Sequence, residues 1–153
     1  MQALHVHQAT FVELDALVGL FDLYRQCQGL ATDLPGARAF LRARFDHGES
    51  VVFMAQRGAE AIGFAQLYPS WSSTSMARVF VLNDLYVHDS GRRMGAARQL
   101  LAAVEGYAWS HGAARLTLNV MRDNAAGRAL YAACGWVHDA QHHMFHRFAP
   151  AAP

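Results

Sequence analysis

A chain of 153 residues fits one domain large enough to bury a core, and a composition of 53% hydrophobic and 16% charged residues excludes a disordered polymer. Thirteen Lys and Arg against twelve Asp and Glu leave a net charge of +1, so bulk charge gives no argument for nucleic acid. Cys27 and Cys134 form no CxxC pair, no apolar run reaches the roughly 18 residues of a membrane span, and MQALHVHQAT lacks a leader pattern; a reduced, cytoplasmic protein is expected.

Residues 11–28 place Leu14, Leu17, Val18, Phe21 and Tyr24 at helical spacing, with Thr10 and Glu13 as a capping-box pair. A turn at Gly29 precedes a second helix over 35–46, with Pro35 near its start. Strands follow at 50–56 and 61–69, joined by the turn RGAE as a hairpin. SWSSTSM is a polar link to a long third strand at 78–88. Residues 92–111 form a helix with Leu100, Leu101, Val104, Tyr107 and Ala108 as its buried stripe, ended by Gly112. A strand at 114–120, the loop MRDN, a short helix at 124–133 and one or two strands over 136–148 complete the order. Residues 1–149 are expected to be one domain and 150–153 a frayed tail. Strands 78–88 and 114–120 flank a helix, which is a parallel βαβ crossover, while the early hairpins are antiparallel. The expected class is mixed α/β, a mostly antiparallel twisted sheet with helices on both faces.

Four of nine histidines cluster in HDAQHHMFHRF, but no acid or cysteine completes a ligand set, so no metal is expected. The stretch VLNDLYVHDSGRRMGAARQLL (81–101) carries more chemistry. A helix start leaves unpaired backbone N–H groups with partial positive charge, and a phosphate docks there if side chains stay small. Gly95, Ala96 and Ala97 are small, and Arg92, Arg93 and Arg98 bring charge. The stretch reads as a pyrophosphate cradle or as a basic, exposed helix start.

Arg92-x-x-Gly95-x-Ala97 after NDLYV, followed by RDNAAGRALYAACGW (122–136), resembles the GNAT superfamily of acetyl-CoA-dependent N-acetyltransferases. The resemblance covers about the whole chain and is strongest over 81–136. Its late signature falls on Asn124, Ala125, Ala126, Ala129, Leu130, Tyr131, Gly135 and Trp136. YPSWSS and LYRQ look like the polyamine and histone-and-polyamine acetyltransferases, whose third strand carries Glu-Asp where this chain has Asn83-Asp84. The resemblance implies a GNAT fold and direct acetyl transfer from acetyl-CoA to a primary amine of a small molecule. The rival readings are a protein lysine or N-terminal acetyltransferase and a silent CoA-binding domain. The resemblance also implies a homodimer, while the charge balance and the lack of a long apolar run lead us to expect neither a nucleic-acid nor a membrane partner.

By the same resemblance, Leu85, Tyr86 and Val87 run beside the pantetheine arm, and Arg92, Arg93, Met94, Gly95, Ala96 and Ala97 form the pyrophosphate loop. Asn124, Ala126 and Tyr131 also meet the cofactor, Asn124 doubling as a helix cap. Tyr131 is the general acid toward the CoA sulfur, or a core tyrosine. Asp84, a carboxylate in an apolar strand, meets the amine, takes its proton through water, or forms a structural salt bridge or cap. Tyr24, Trp71, Phe80 and Tyr86 wall an acceptor pocket or belong to the core.

Overall fold

Five strands form one sheet in chain order: β1 (Leu4–Gln8), β2 (Val51–Arg57), β3 (Glu60–Ser72), β4 (Ala77–Val87) and β5 (Arg115–Thr117). A computed structural model describes residues 2–152. The first three pairings are antiparallel and β4–β5 is parallel. A parallel pair needs a crossover, and α3 (Ala96–Ser110) supplies it.

The period of two sorts β2 between two cores. Val52 and Met54 join Phe64 of β3 against α1 (Leu14–Cys27) and α2 (Leu34–Asp46), where Leu17, Val18, Phe21 and Leu41 are buried. Phe53 turns the other way, its ring 5.8 Å from Tyr107 of α3; Phe80 of β4 meets the same ring at 5.6 Å. Helices therefore cover both faces. A 3₁₀ turn at Phe11–Glu13 leads into α1, and Glu13 completes its half of the capping box by accepting the Thr10 N–H at 2.9 Å.

By internal contacts the chain divides into two compact units, Met1–Asn119 and Val120–Pro153. The first holds the whole sheet with α1 to α3; the second holds α4 (Ala125–Ala133).

Several expectations need correction. β1 has no counterpart in the sequence reading, because LHVHQ is a short edge strand whose His5 and Gln8 are exposed, and two half-buried apolar residues make a weak alternation. The third helix begins at Ala96, since Arg93 and Gly95 adopt left-handed backbone (φ +62° and +79°) and keep 92–95 as turns. The polar link shrinks to 73–76, because β3 and β4 pair out to Ser72 and Ala77. β5 pairs only over Arg115–Thr117. No strand forms over 136–148: a strand requires a ladder, and among the described residues none forms there, leaving Val137, Phe145 and Phe148 exposed. Residues 150–152 carry no secondary structure, and Pro153 of the expected tail lies outside the described residues.

Candidate functional site

A β-bulge in β4 builds the first half of the site. Leu82 pairs with Leu67 and Asp84 with Gln66, so Asn83 is an extra residue with no partner in β3. One extra residue reverses the alternation. Phe80 lies on the α3 side, whereas Asp84 and Tyr86 face α1. Tyr86 sits with its ring 6.3 Å from Tyr24 and 6.4 Å from Phe64. Gly63 makes the adjoining pairing possible, since a Cβ there would fall 2.7 Å from the Tyr86 carbonyl oxygen.

Asp84 is 4% exposed. Gln66 Nε2 donates to Oδ2 at 2.7 Å and Asn83 Nδ2 donates to Oδ1 at 3.1 Å, with the Tyr24 hydroxyl as a further donor. Burial outweighs these donors and raises the Asp84 carboxyl above the ordinary aspartate range. Among the described residues no ion pair includes Asp84. Tyr68, also half-buried in β3, is pushed up to about 12, first by burial and then by the Asp84 charge. The four aromatics expected to wall one pocket separate. Tyr24 and Tyr86 share the α1 face with Asp84, whereas exposed Trp71 stacks under Arg78 at 4.0 Å and Phe80 packs on Tyr107.

The second half is the turn between β4 and α3. β5 covers β4 only from Val79 to Val81, so the β5-side edge from Leu82 through Leu85, Tyr86 and Val87 carries no strand partner among the described residues. The loop after it is braced by the β2–β3 hairpin. Arg57 donates to the Ser90 carbonyl at 3.3 Å and meets Met94 Sδ at 3.4 Å, while Glu60 accepts from the Ser90 hydroxyl at 3.1 Å. Arg92 pairs with Asp89 at 3.0 Å, and Arg93 is exposed. Gly95 caps α3 in left-handed conformation, its carbonyl accepting the first helical bond from Gln99 at 3.0 Å. A Cβ on Gly95 would meet no described residue within 4 Å beyond its chain neighbours, so there is room at the helix cap. Ala96 is buried and Ala97 half-buried, so neither screens the first-turn N–H groups. A small-residue helix start beside exposed Arg93 fits a pyrophosphate.

In the second unit, Asn124 caps α4: its Oδ1 accepts from the Gly127 N–H at 2.9 Å, which leaves its amide N–H₂ as a donor. Ala126 is exposed on the first turn. Tyr131 is half-buried, its ring 6.0 Å from Trp136, and burial raises its phenol above the ordinary value, so it carries its proton at neutral pH. His142 pairs with Asp139 at 2.8 Å, and no group of three metal-binding side chains occurs among the described residues. The sequence reading passed over Gln66, although a glutamine inside the apolar run AIGFAQLYP is a visible signal.

Comparison with known proteins agrees with this architecture. The acetyltransferase (GNAT) family model matches residues 17–136. The chain is 43% identical over 136 residues to the uncharacterized N-acetyltransferase YhfO of Bacillus subtilis, covering 89% of this chain and 91% of that protein. It is 30% identical over 95 residues to a probable acetyltransferase of Haemophilus influenzae, 61% of this chain and 65% of the relative. The crystal structure of a probable acetyltransferase superposes with a TM-score of 0.91 at 33% identity, covering 97% of this chain and 99% of that one. The aminoglycoside N-acetyltransferase AAC(6')-Iy, solved with CoA, shares the fold at a TM-score of 0.81 and 21% identity, covering 97% of this chain and 96% of that one. The family match takes in the bulged strand, the glycine turn and the Asn-capped helix alike, and with a relative aligned over nearly its full length it makes this chain a member of the acetyltransferase (GNAT) family, and so an acyltransferase.

Proposed function

We propose that the protein transfers an acetyl group from acetyl-CoA to a primary amine of a small, cationic molecule. One observation carries the acceptor class. Asp84 is a buried carboxylate held by neutral donors alone, with no cation beside it among the described residues. A buried charge is costly unless paired, and an ammonium group is the partner that such a carboxylate lacks. The reading agrees with the polyamine-type motifs YPSWSS and LYRQ, and with Asp84 as the acid that this chain keeps beside Asn83.

Acetyl-CoA, when bound, supplies the activated acyl carbon. The remaining requirements fall on the chain. The N–H groups opening α3 and the Arg93 guanidinium hold the pyrophosphate, with Gly95, Ala96 and Ala97 leaving room. The unpaired β4 edge at Leu85, Tyr86 and Val87 offers main-chain partners to the pantetheine arm, and an N–H near Leu85 polarises the thioester carbonyl. Asn124 donates its free amide N–H to the cofactor arm beside Ala126. Asp84 orients the ammonium and takes its proton through water. The neutral amine then forms the C–N bond as the C–S bond breaks; Tyr131 gives its proton to the sulfur, and the proton shed by the newly acylated nitrogen returns through water to the phenolate. The CoA complex of the fold neighbour AAC(6')-Iy supports the carrier. The family match runs across both compact units, which supports residues 1–149 acting as one domain. No helix among the described residues is long and apolar enough to cross a membrane. A cytoplasmic homodimer belongs to the same reading.

The test is an acceptor panel of diamines, polyamines, aminoglycosides and lysine peptides, read by thiol release, followed by Asp84→Asn with the best acceptor. The amide keeps the size and removes the charge. We expect the Michaelis constant for the amine to rise tenfold or more while that for acetyl-CoA stays within twofold, since a charge-assisted contact is worth about 1.5–3 kcal/mol. A variant kinetically equal to wild type would remove Asp84 from the acceptor site.

A further inference from the structure

Gln66 is fully buried in the middle of β3, among Phe64, Ala65 and Leu67, a position where an apolar side chain of equal size satisfies the core without any hydrogen bond. Its amide is only half used. Nε2 donates to Asp84 Oδ2 at 2.7 Å, while Oε1 is buried with no hydrogen-bond partner. Leaving a buried amide oxygen unmade costs stability, and what the residue gains in return is its bond to Asp84, beside a hydrogen bond to the Tyr68 side chain. The bulge at Asn83 sets the geometry, because it brings Asp84 opposite Gln66 on the α1 face.

We propose that Gln66 is a positioning residue for Asp84, holding its carboxylate ionised and aimed at the α1 face so that it can meet the acceptor amine. The proposal rests on the reading of Asp84 as the acceptor-side carboxylate. The groups around it have unequal reach. Asn83 is exposed and exchanges with water. Tyr24 approaches from α1, and Tyr68 and Tyr86 stand on the strands; Arg44 of α2 acts on Tyr68. Gln66 is the fully buried donor of the set, fixed by the sheet on both sides. Burial alone drives the carboxyl toward its neutral form, and a donor to the anion opposes that drift.

The test follows the titration of Asp84 directly, by the ¹³C shift of its carboxyl carbon, in wild type and in Gln66→Met, which keeps the shape and removes the donor. We expect the ionisation constant of Asp84 to fall roughly tenfold or more in Gln66→Met, the equivalent of one lost hydrogen bond to a charged group. The acid limb of kcat/KM for the amine should move to higher pH by the same factor, with KM for acetyl-CoA unchanged. In wild type the side-chain amide signals of Gln66 should titrate with the Asp84 midpoint, and that response should vanish in Asp84→Asn. A folded Gln66→Met with an unmoved Asp84 midpoint overturns the proposal, as do wild-type amide signals that ignore the titration. If the midpoint moves while Asp84→Asn keeps wild-type kinetics, Gln66 holds the carboxylate as argued and it is the acceptor reading that fails. A purely structural Gln66 lowers the melting temperature and leaves the midpoint in place.

Discussion

Gly95 separates two reasons for a glycine. Its φ of +79° is a backbone conformation that costs an L-residue about 1–2 kcal/mol, whatever the space around it. Apart from its chain neighbours, no described residue lies within 4 Å of the place its Cβ would take, so such contacts do not forbid a side chain. Gly95→Ala and Gly95→Val should therefore lose similar stability, a melting temperature lower by roughly 2–8 °C. They should differ toward the cofactor. Alanine adds one methyl to open space, whereas valine adds branches over the N–H groups that would hold phosphate. We expect a Michaelis constant for acetyl-CoA at least tenfold higher in Gly95→Val than in Gly95→Ala, at equal KM for the amine. Equal values in the two variants would show that no ligand occupies that space.

Asp22 does for the helices what Gln66 does for Asp84. It is buried on α1 and accepts from Gln26 Nε2 at 2.9 Å, Thr32 Oγ1 at 2.7 Å and the Asp33 N–H at 2.7 Å. Asp33 in turn caps α2 by accepting from the Gly36 N–H at 2.9 Å. One carboxylate thus ties the end of α1, the 28–33 connection and the start of α2. The Asp33 N–H, then the Thr32 hydroxyl, hold its carboxyl below the ordinary aspartate value. A depressed folded-state pKa means stability that is present above the ordinary aspartate range and lost as pH falls through the lower folded value. Asp22→Ala should lower the melting temperature at pH 7, and the gap to wild type should narrow below about pH 4, followed by circular dichroism. A gap independent of pH would mean that packing, not charge, ties the helices. The helices themselves were legible in the sequence, because Leu14, Leu17, Val18 and Phe21 repeat at 3.6 and Pro35 marks a start. β1 was not, since LHVHQ earns its assignment from pairing with β2 rather than from its own pattern. Nor was the bulge. It is set by the register of β3 against β4, so the sequence shows Asn83 and Asp84 side by side but not that they belong to different environments. Motif spacing marks Gly95, Asn124 and Tyr131 as expectations, and Gln66 stands out as a polar residue inside the apolar run AIGFAQLYP, although no pattern names Asp84 as its partner.

At the level of the molecule, binding and chemistry can be separated by linkage. A ligand that binds only the folded chain stabilises it by RT ln(1 + [L]/Kd), about 2.7 kcal/mol at a hundredfold excess over Kd. For a chain of this size each kcal/mol raises the melting temperature by roughly 2–4 °C, so saturating acetyl-CoA should add about 5–10 °C. On the proposed reading the ligand contacts of the first unit are Leu85–Val87 and Arg92–Ala97, so the shift should depend on them; Asn124 and Ala126 of the second unit are a separate expectation. Asn124→Ala tests the second, although it also removes the cap on Gly127 and so needs the apo melting temperature as its baseline. Tyr131→Phe is the control that divides the two functions. Tyr131 is expected to meet the cofactor, but its hydroxyl is assigned to proton transfer, and burial keeps that hydroxyl protonated. Tyr131→Phe should keep the acetyl-CoA shift within about 1–2 °C of wild type, less than one lost hydrogen bond would remove, while turnover falls roughly 10- to 10⁴-fold. If the shift collapses together with turnover, Tyr131 binds the cofactor instead of acting on the leaving sulfur. If both survive, the tyrosine is a packing residue against Trp136, and another donor must protonate the thiolate.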